Sequence, residues 1–214
     1  HFLVQGLDTD HAKAARVREK LAAQNVQGKV TVREFGGRHL PYIDNMVNLM
    51  VVAEPFNVTD EELTRVLVPG GEAVFVDPAS GDVVRTLTKP QPEDTDQWTH
   101  YLYDAGNNAV SKDRRIDSVG RQQWVAGPRW SRHHDHIAGL TAMVSAGGRV
   151  FYVVDEGKNW SVLLPPKYFV IARDAYNGTV LWKKPLASWH PHLWPLKSGP
   201  AHLPRRLVVQ GDKL

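Results

Sequence analysis

Short apolar runs and amphipathic stretches alternate along the first 80 positions. Four runs predict strands: 2–7, 29–35, 47–53 and 73–76. Ala14, Val17 and Leu21 recur at three- and four-residue spacing and predict a helix over 11–24. Thr59, three residues before Glu62, forms a capping box and predicts a second, short helix. We expect that helix to stop at the Pro-Gly-Gly of 69–71.

The order of these elements is β-α-β-β-α-β, which is half of a doubly wound sheet. In such sheets ligands bind beyond the carboxyl ends of the strands. The loops after Leu7, Phe35 and Val52 are therefore where the first region would hold a ligand.

The pattern changes after Gln97, where no helical period persists. Residues 144–154 form strand, Gly147-Gly148 turn and strand, which predicts a hairpin. Further strands are predicted at 168–173 and after the Asn177-Gly178 turn, with flanking ones at 123–124 and 207–214. This region is therefore predicted to be all-β.

Charge and aromatic content divide the sequence in the same way. Residues 1–95 carry ten Lys/Arg and fourteen Asp/Glu, whereas residues 96–214 carry sixteen and nine and contain all seven Trp. Pro90 and Pro92 mark an extended junction between the two regions. We divide the protein into an α/β region (1–88), a linker and lead-in (89–122) and an all-β region (123–214).

Composition excludes several classes. The 214 residues include no cysteine, which rules out a disulfide scaffold, a thiolate zinc site and a cysteine nucleophile. The longest apolar run, 46–53, is too short for a membrane span and contains Asn48. The basic residues of the second region are scattered among Trp and Pro, a pattern that does not favour nucleic acid as a partner.

Three motifs of the first region resemble class I S-adenosylmethionine-dependent methyltransferases. They are Gly6-Leu7-Asp8 at a strand end, the LPYIDN loop at 40–45 and the RVLVPGG turn at 65–71, in the family's order. The resemblance implies a partial Rossmann-like sheet, S-adenosylmethionine as cofactor, and Asp8 and Asp44 as cofactor-binding residues. Asp8 is alternatively the N-cap of the following helix.

The same resemblance implies a further strand, carrying the family's glycine-rich loop, that would precede Phe2 and lie between the strands at Leu3 and Leu49. Without it, residues 1–95 would leave a gap in the sheet. The acidic residue that usually contacts adenine would fall near Gly36 or Gly37, where no carboxylate is present.

The DAYNGTVLW segment at 174–182 resembles the repeat of quinoprotein-like, or pyrroloquinoline-quinone-like, β-propellers. The resemblance implies structural roles for Asp174, Gly178 and Trp182, with Trp182 packed between neighbouring blades. About 115 residues supply only the first blades of a propeller, because closure needs about four or more. Pyrroloquinoline quinone is a possible cofactor by this resemblance.

Two His-x-His units are candidate ligands: His134 with His136, and His190 with His192. Residues i and i+2 of an extended backbone share a face, which suits zinc, copper, iron or nickel. The alternatives are a polar, substrate-contacting mouth or a purely structural role.

The sequence as a whole resembles an internal part of large bacterial proteins that join a methyltransferase-like domain to a quinoprotein-like propeller. We therefore expect α/β plus all-β architecture and a binding, scaffold or quinoprotein-type oxidoreductase module with a degenerate methyltransferase-like appendage. The alternative is an S-adenosylmethionine-dependent methyltransferase whose propeller presents substrate. The expected partners are the rest of the same polypeptide or other chains that complete the sheet and propeller, in the periplasm or cell envelope by resemblance.

Overall fold

The protein is mixed α/β and rich in sheet. The structure, a computed structural model, describes residues 2–54, 56–115, 120–127, 139–160, 164–187, 189, 203–211 and 213–214. It divides into two compact units, His1–Gln91 and Pro92–Leu214.

The first unit contains two helices and five strands. They are β1 (Val4–Asp8), α1 (His11–Ala23), β2 (Val30–Glu34), β3 (Val47–Val52), α2 (Asp60–Val66), β4 (Leu67–Val76) and β5 (Val83–Thr88). β1 and β2 pair in parallel, as do β3 and β4, and β5 adds to β4 in the antiparallel direction. The predicted helix–strand order is confirmed, with β5 added.

Side-chain caps start both helices. The carboxylate of Asp10 accepts the backbone N–H groups of Ala12 and Lys13, so Asp10, and not Asp8, is the N-cap of α1. Thr59 Oγ1 accepts from the N–H of Glu62 at the start of α2. Only half of the predicted capping box forms, because the Glu62 carboxylate bonds elsewhere.

The second helix ends earlier than predicted. Its last carbonyls, those of Arg65 and Val66, accept the N–H groups of Asn45 and Met46, and the backbone turns directly into β4. The predicted stop at 69–71 is therefore wrong, since these residues lie inside β4. There the β3–β4 register shifts from Val47↔Leu67 to Leu49↔Glu72.

The two parallel pairs of the first unit are separate sheets among the described residues, with orders β1-β2 and β3-β4-β5. Each sheet has two outer edges without a ladder partner in this part of the protein, and β1 and β3 each provide one of them. Exposed apolar side chains lie on these strands: Val4 is 52% exposed, Leu49 57% and Val51 66%. β1 and β3 therefore do not pair with each other in the described residues, and the strand that the resemblance implies between them stays a prediction.

The second unit is built on one antiparallel sheet of four sequential strands. They are β6 (Leu140–Ala146), β7 (Arg149–Asp155), β8 (Tyr168–Asp174) and β9 (Val180–Pro185), followed by a 3-10 turn at Pro204–Arg206. The predicted hairpin at Gly147-Gly148 is confirmed, and both glycines have positive φ.

The central strands of this sheet are buried on both faces. Alternate residues of β7 contribute to each: Phe151 and Val153 to one face, Tyr152 and Val154 to the other. Leu207 and Val209 cover the first of these faces. A near-continuous apolar strand such as β7 is what burial on both sides requires.

The lead-in residues belong to the second unit. The carbonyl of Trp98 accepts the N–H of Ser145 on β6, and the carbonyl of Thr99 accepts the N–H of Val209. The predicted strands at 123–124 and 207–214 are not formed in the described residues, apart from an isolated bridge between Gln210 and Lys213. The segment at 123–124 is instead held by side-chain hydrogen bonds from Gln123 and Trp124 to the backbone after β8.

Candidate functional site

Asp8, which the resemblance implies as a cofactor-binding residue, lies at the carboxyl end of β1. Its Oδ1 accepts the N–H of Asp10 at 2.8 Å, which fixes the turn into α1. Nearby, His11 Nδ1 and Glu34 Oε2 lie 2.8 Å apart, joining α1 to the end of β2. The Asp8 carboxylate therefore organises the strand–helix connection.

Asp44, the second predicted cofactor residue, contacts an arginine. Arg65 Nη1 donates to Asp44 Oδ1 at 2.7 Å and to the carbonyl of Tyr42, while Nη2 and Nε donate to Glu62. Hydrogen bonds to Glu62, which contribute most, and to Asp44 raise the pKa of Arg65. The hydrogen bonds from Arg65 also lower the pKa of Glu62. The loop at 40–45 is thus braced against α2.

The structure also connects β1 to this loop. Tyr42 Oη donates to Gln5 Oε1 at 2.8 Å.

A second contact joins the loops after β2 and β3. The ring of Phe35, after β2, lies with its centroid 5.3 Å from that of Phe56, after β3, and the two planes are nearly perpendicular. The loops that follow β2 and β3 therefore meet through these two rings.

In the second unit the turn between β8 and β9 is held by hydrogen bonds around Asp174. Asp174 is 7% exposed, and its Oδ1 accepts the N–H groups of Tyr176 and Asn177. The Asp174 carbonyl accepts the N–H of Gly178, which has φ +72°. Asp174 and Gly178 thus have the turn-bracing geometry that the repeat implies.

Trp124 covers this turn from a segment outside the sheet. Its Nε1 donates to the carbonyl of Ala175 at 2.9 Å, and Gln123 Nε2 donates to the carbonyl of Tyr176 at 2.8 Å. The indole lies so close to Gly178 that a Cβ built there would be 2.6 Å from Trp124 Cδ2. We call this arrangement the Trp124 dock.

Sequence reasoning missed the Trp124 dock because it treated residues 123–124 as a strand.

Trp182 is half-buried on β9, with its ring centroid 6.0 Å from that of Phe151. Arg65 was also missed, although its i,i+3 spacing from Glu62 on a helix is a readable signal.

An apolar cavity of about 270 Å³ lies beside the dock. Its polar neighbours are engaged: Tyr152 Oη accepts from Arg173 Nε, and Asp155 accepts from Gly157 and Lys167. The lining residues are Trp124, Ala126, Gly127, Gly139, Leu140, Met143, Val150, Tyr152, Val154 and Asp155.

All four candidate metal ligands, His134, His136, His190 and His192, lie outside the described residues. Within the residues that are described, no group of three or more His, Asp or Glu is placed to hold a metal ion. In that same part of the protein no helix has the length and apolar character that a membrane span needs.

No protein-family model matches the sequence. No curated protein matches it either. Among solved structures it is similar to the crystal structure of the [4+2]-cyclase SpnF, at 19% identity and a TM-score of 0.32. That similarity covers 35% of this protein and 29% of the cyclase, a level that carries no inference about function.

Proposed function

We propose that this protein is a binding and assembly module of a quinoprotein-like β-propeller protein, with a methyltransferase-like region as an appendage. The observation that carries the proposal is the Trp124 dock. A tryptophan from outside the four-stranded sheet covers the β8–β9 turn and bonds to its backbone. Repeat proteins are stabilised by such contacts between one repeat and its neighbour.

The position of Trp182 extends this reasoning. Trp182 lies 58 positions after Trp124 and follows the turn that Trp124 covers, a spacing on the scale of one propeller repeat. In the proposal Trp182 supplies the same contact to the turn of the next repeat. The partner is thus another sheet of the same kind, from the same polypeptide or from another one.

The first unit supports an assembly role in a different way. The β1 and β3 edges have no ladder partner among the described residues, and Val4, Leu49 and Val51 are exposed. Parallel strands are normally buried and paired. We propose that a further apolar strand, from the rest of the polypeptide or from another one, completes this sheet.

Association of the protein with itself tests the repeat contact. In the native protein each β8–β9 turn is covered by its own Trp124, so the test uses Trp124→Ala, which leaves that turn open. We expect sedimentation of this variant to show association that rises with concentration, because Trp182 of one copy can then reach the turn of another. Adding Trp182→Ala should weaken the association, whereas adding Trp160→Ala, at a side chain that is 80% exposed, should not. A Trp124→Ala variant that stays monomeric, or equal effects of the two added changes, would contradict the proposal.

A methyltransferase remains the second candidate, since Asp8 lies at the carboxyl end of β1, where the resemblance implies a cofactor-binding carboxylate. Calorimetric titration with S-adenosylmethionine and with pyrroloquinoline quinone separates the functions. We expect binding of neither. Micromolar binding of S-adenosylmethionine that is lost in Asp8→Ala would favour the transferase, and saturable quinone binding would favour an oxidoreductase.

A further inference from the structure

The β8–β9 turn contains an Asn followed by Gly, at Asn177-Gly178, and the sequence has no other such pair. Glycine has no side chain to shield its backbone nitrogen, so this pair is the one most open to reaction between the Asn side chain and the next peptide. Asn is also among the thermolabile residues. We infer that Asn177 is a site of spontaneous covalent modification whose rate is controlled by the Trp124 dock.

The reaction is deamidation through a cyclic imide. The backbone nitrogen of Gly178 loses its proton and forms a bond to Cγ of Asn177, and the bond from Cγ to Nδ2 breaks to release ammonia. Water then opens the five-membered imide at either carbonyl and yields aspartate or isoaspartate. The net change is one water consumed and one ammonia released, with no oxidant or reductant.

In the native turn both reacting groups are engaged in hydrogen bonds. The Gly178 N–H donates to the carbonyl of Asp174 at 3.0 Å, so it would have to give up this bond before it could lose its proton. Asn177 Oδ1 accepts the N–H of Thr179 at 3.0 Å, which holds the side-chain amide in place. Attack on Cγ therefore requires the turn to open.

Trp124 opposes that opening. Its ring lies against Gly178, and its Nε1 bond to Ala175 joins the segment at 120–127 to the same turn. Local opening has its own free energy in a native protein. Removing the indole should lower that free energy and speed the reaction without changing the reacting groups.

The product would prevent the dock from re-forming. Isoaspartate lengthens the backbone by one methylene and adds a carboxylate close to the buried carboxylate of Asp174. Two carboxylates this close together destabilise each other when both are charged. Modification at Asn177 thus converts a docked turn into an undocked one irreversibly, on the time scale of protein ageing.

The test follows isoaspartate in the whole protein held at 37 °C and pH 8. Trypsin releases residues 174–183, which isolates Asn177, and mass spectrometry with an enzymatic isoaspartate assay quantifies the product. We expect the native protein to react at least about tenfold more slowly than the protein in guanidinium chloride. Trp124→Ala should react several-fold faster than the native protein, and Trp160→Ala at the native rate.

Circular dichroism checks that each variant is folded. If Trp124→Ala does not fold, Trp124→Phe, which keeps a ring but loses the bond to Ala175, should still react faster than the native protein. Equal rates in native and denatured protein would overturn the inference. So would native-like rates in the folded Trp124 variants.

Discussion

The two larger sheets of the protein bury their apolar residues to different extents. The central strands β7 and β8 of the four-stranded sheet are buried on both faces, although Leu140 and Met143 on β6 are about half exposed. In β3-β4-β5 one face is buried around Leu67 and Ala73, and Leu49 and Val51 are exposed on the other. Apolar patterning alone therefore does not determine burial, since both sheets contain Val- and Leu-rich strands. What differs is whether another segment packs against the second face.

The largest loss of stability should come from truncating a side chain on a central strand of the four-stranded sheet, where both faces are buried. Ile171 is 2% exposed, and Ile171→Ala should lower the free energy of unfolding by about 2–5 kcal/mol. The matched change on the exposed face, Leu49→Ala, should stay within about 0.5 kcal/mol. Urea denaturation measures both, and equal losses would remove the distinction between the sheets.

A second comparison uses two glycines with similar backbone angles. Gly178 has φ +72° and Gly81 has φ +79°, so alanine at either position costs about 1–2 kcal/mol in backbone strain. At Gly81 nothing lies within 4 Å of an added Cβ, whereas at Gly178 the Trp124 ring must move. Gly178→Ala should therefore be the more destabilising, with a change in tryptophan fluorescence that Gly81→Ala lacks.

The cap of α2 gives a smaller effect in the first unit. Thr59→Ala removes the oxygen that accepts the Glu62 N–H and should cost about 1 kcal/mol in thermal or urea unfolding. Thr59→Ser keeps that oxygen and should retain most of the stability. A full loss in the serine variant would mean that packing of the methyl group, and not capping, is responsible.

The smallest expected effect is a change in the pH dependence of stability below about pH 3.8. Hydrogen bonds from Tyr103 Oη, and from the N–H groups of Lys112 and Gln97, lower the pKa of Asp96 from 3.8 to about 2. Because the folded-state pKa is depressed, Asp96 stabilises the fold above pH 3.8, and this contribution is lost as the pH falls through about 2. Asp96→Asn should flatten the pH dependence of unfolding in that window.

Local signals predicted much of the fold. Spacing and cap residues located α1 and α2, and the glycine turns located the β6–β7 and β8–β9 connections. The end of α2 and strand β5 escaped prediction, because backbone bonds from Asn45 and Met46 end the helix and pairing with β4 forms the strand. Contacts between segments that are far apart in the sequence produce no periodic pattern of apolar residues, so sequence analysis does not detect them.

The same distinction applies to the candidate sites. The turn residues Asp174 and Gly178 lie within five positions, so a local pattern could identify them. The dock of Trp124 on that turn joins residues 51 positions apart. The bracing of Asp44 by Arg65 likewise crosses a strand and a helix.

The bonds of Trp98 and Thr99 have a consequence for folding kinetics. Thr99 meets Val209 across 110 positions of sequence, whereas Trp98 meets Ser145 across 47. Closing a longer loop costs more conformational entropy, and contacts between distant residues slow folding. The Trp98–Ser145 contact should therefore form before the Thr99–Val209 contact, so the amide of Val209 should gain protection from hydrogen exchange after that of Ser145 during refolding.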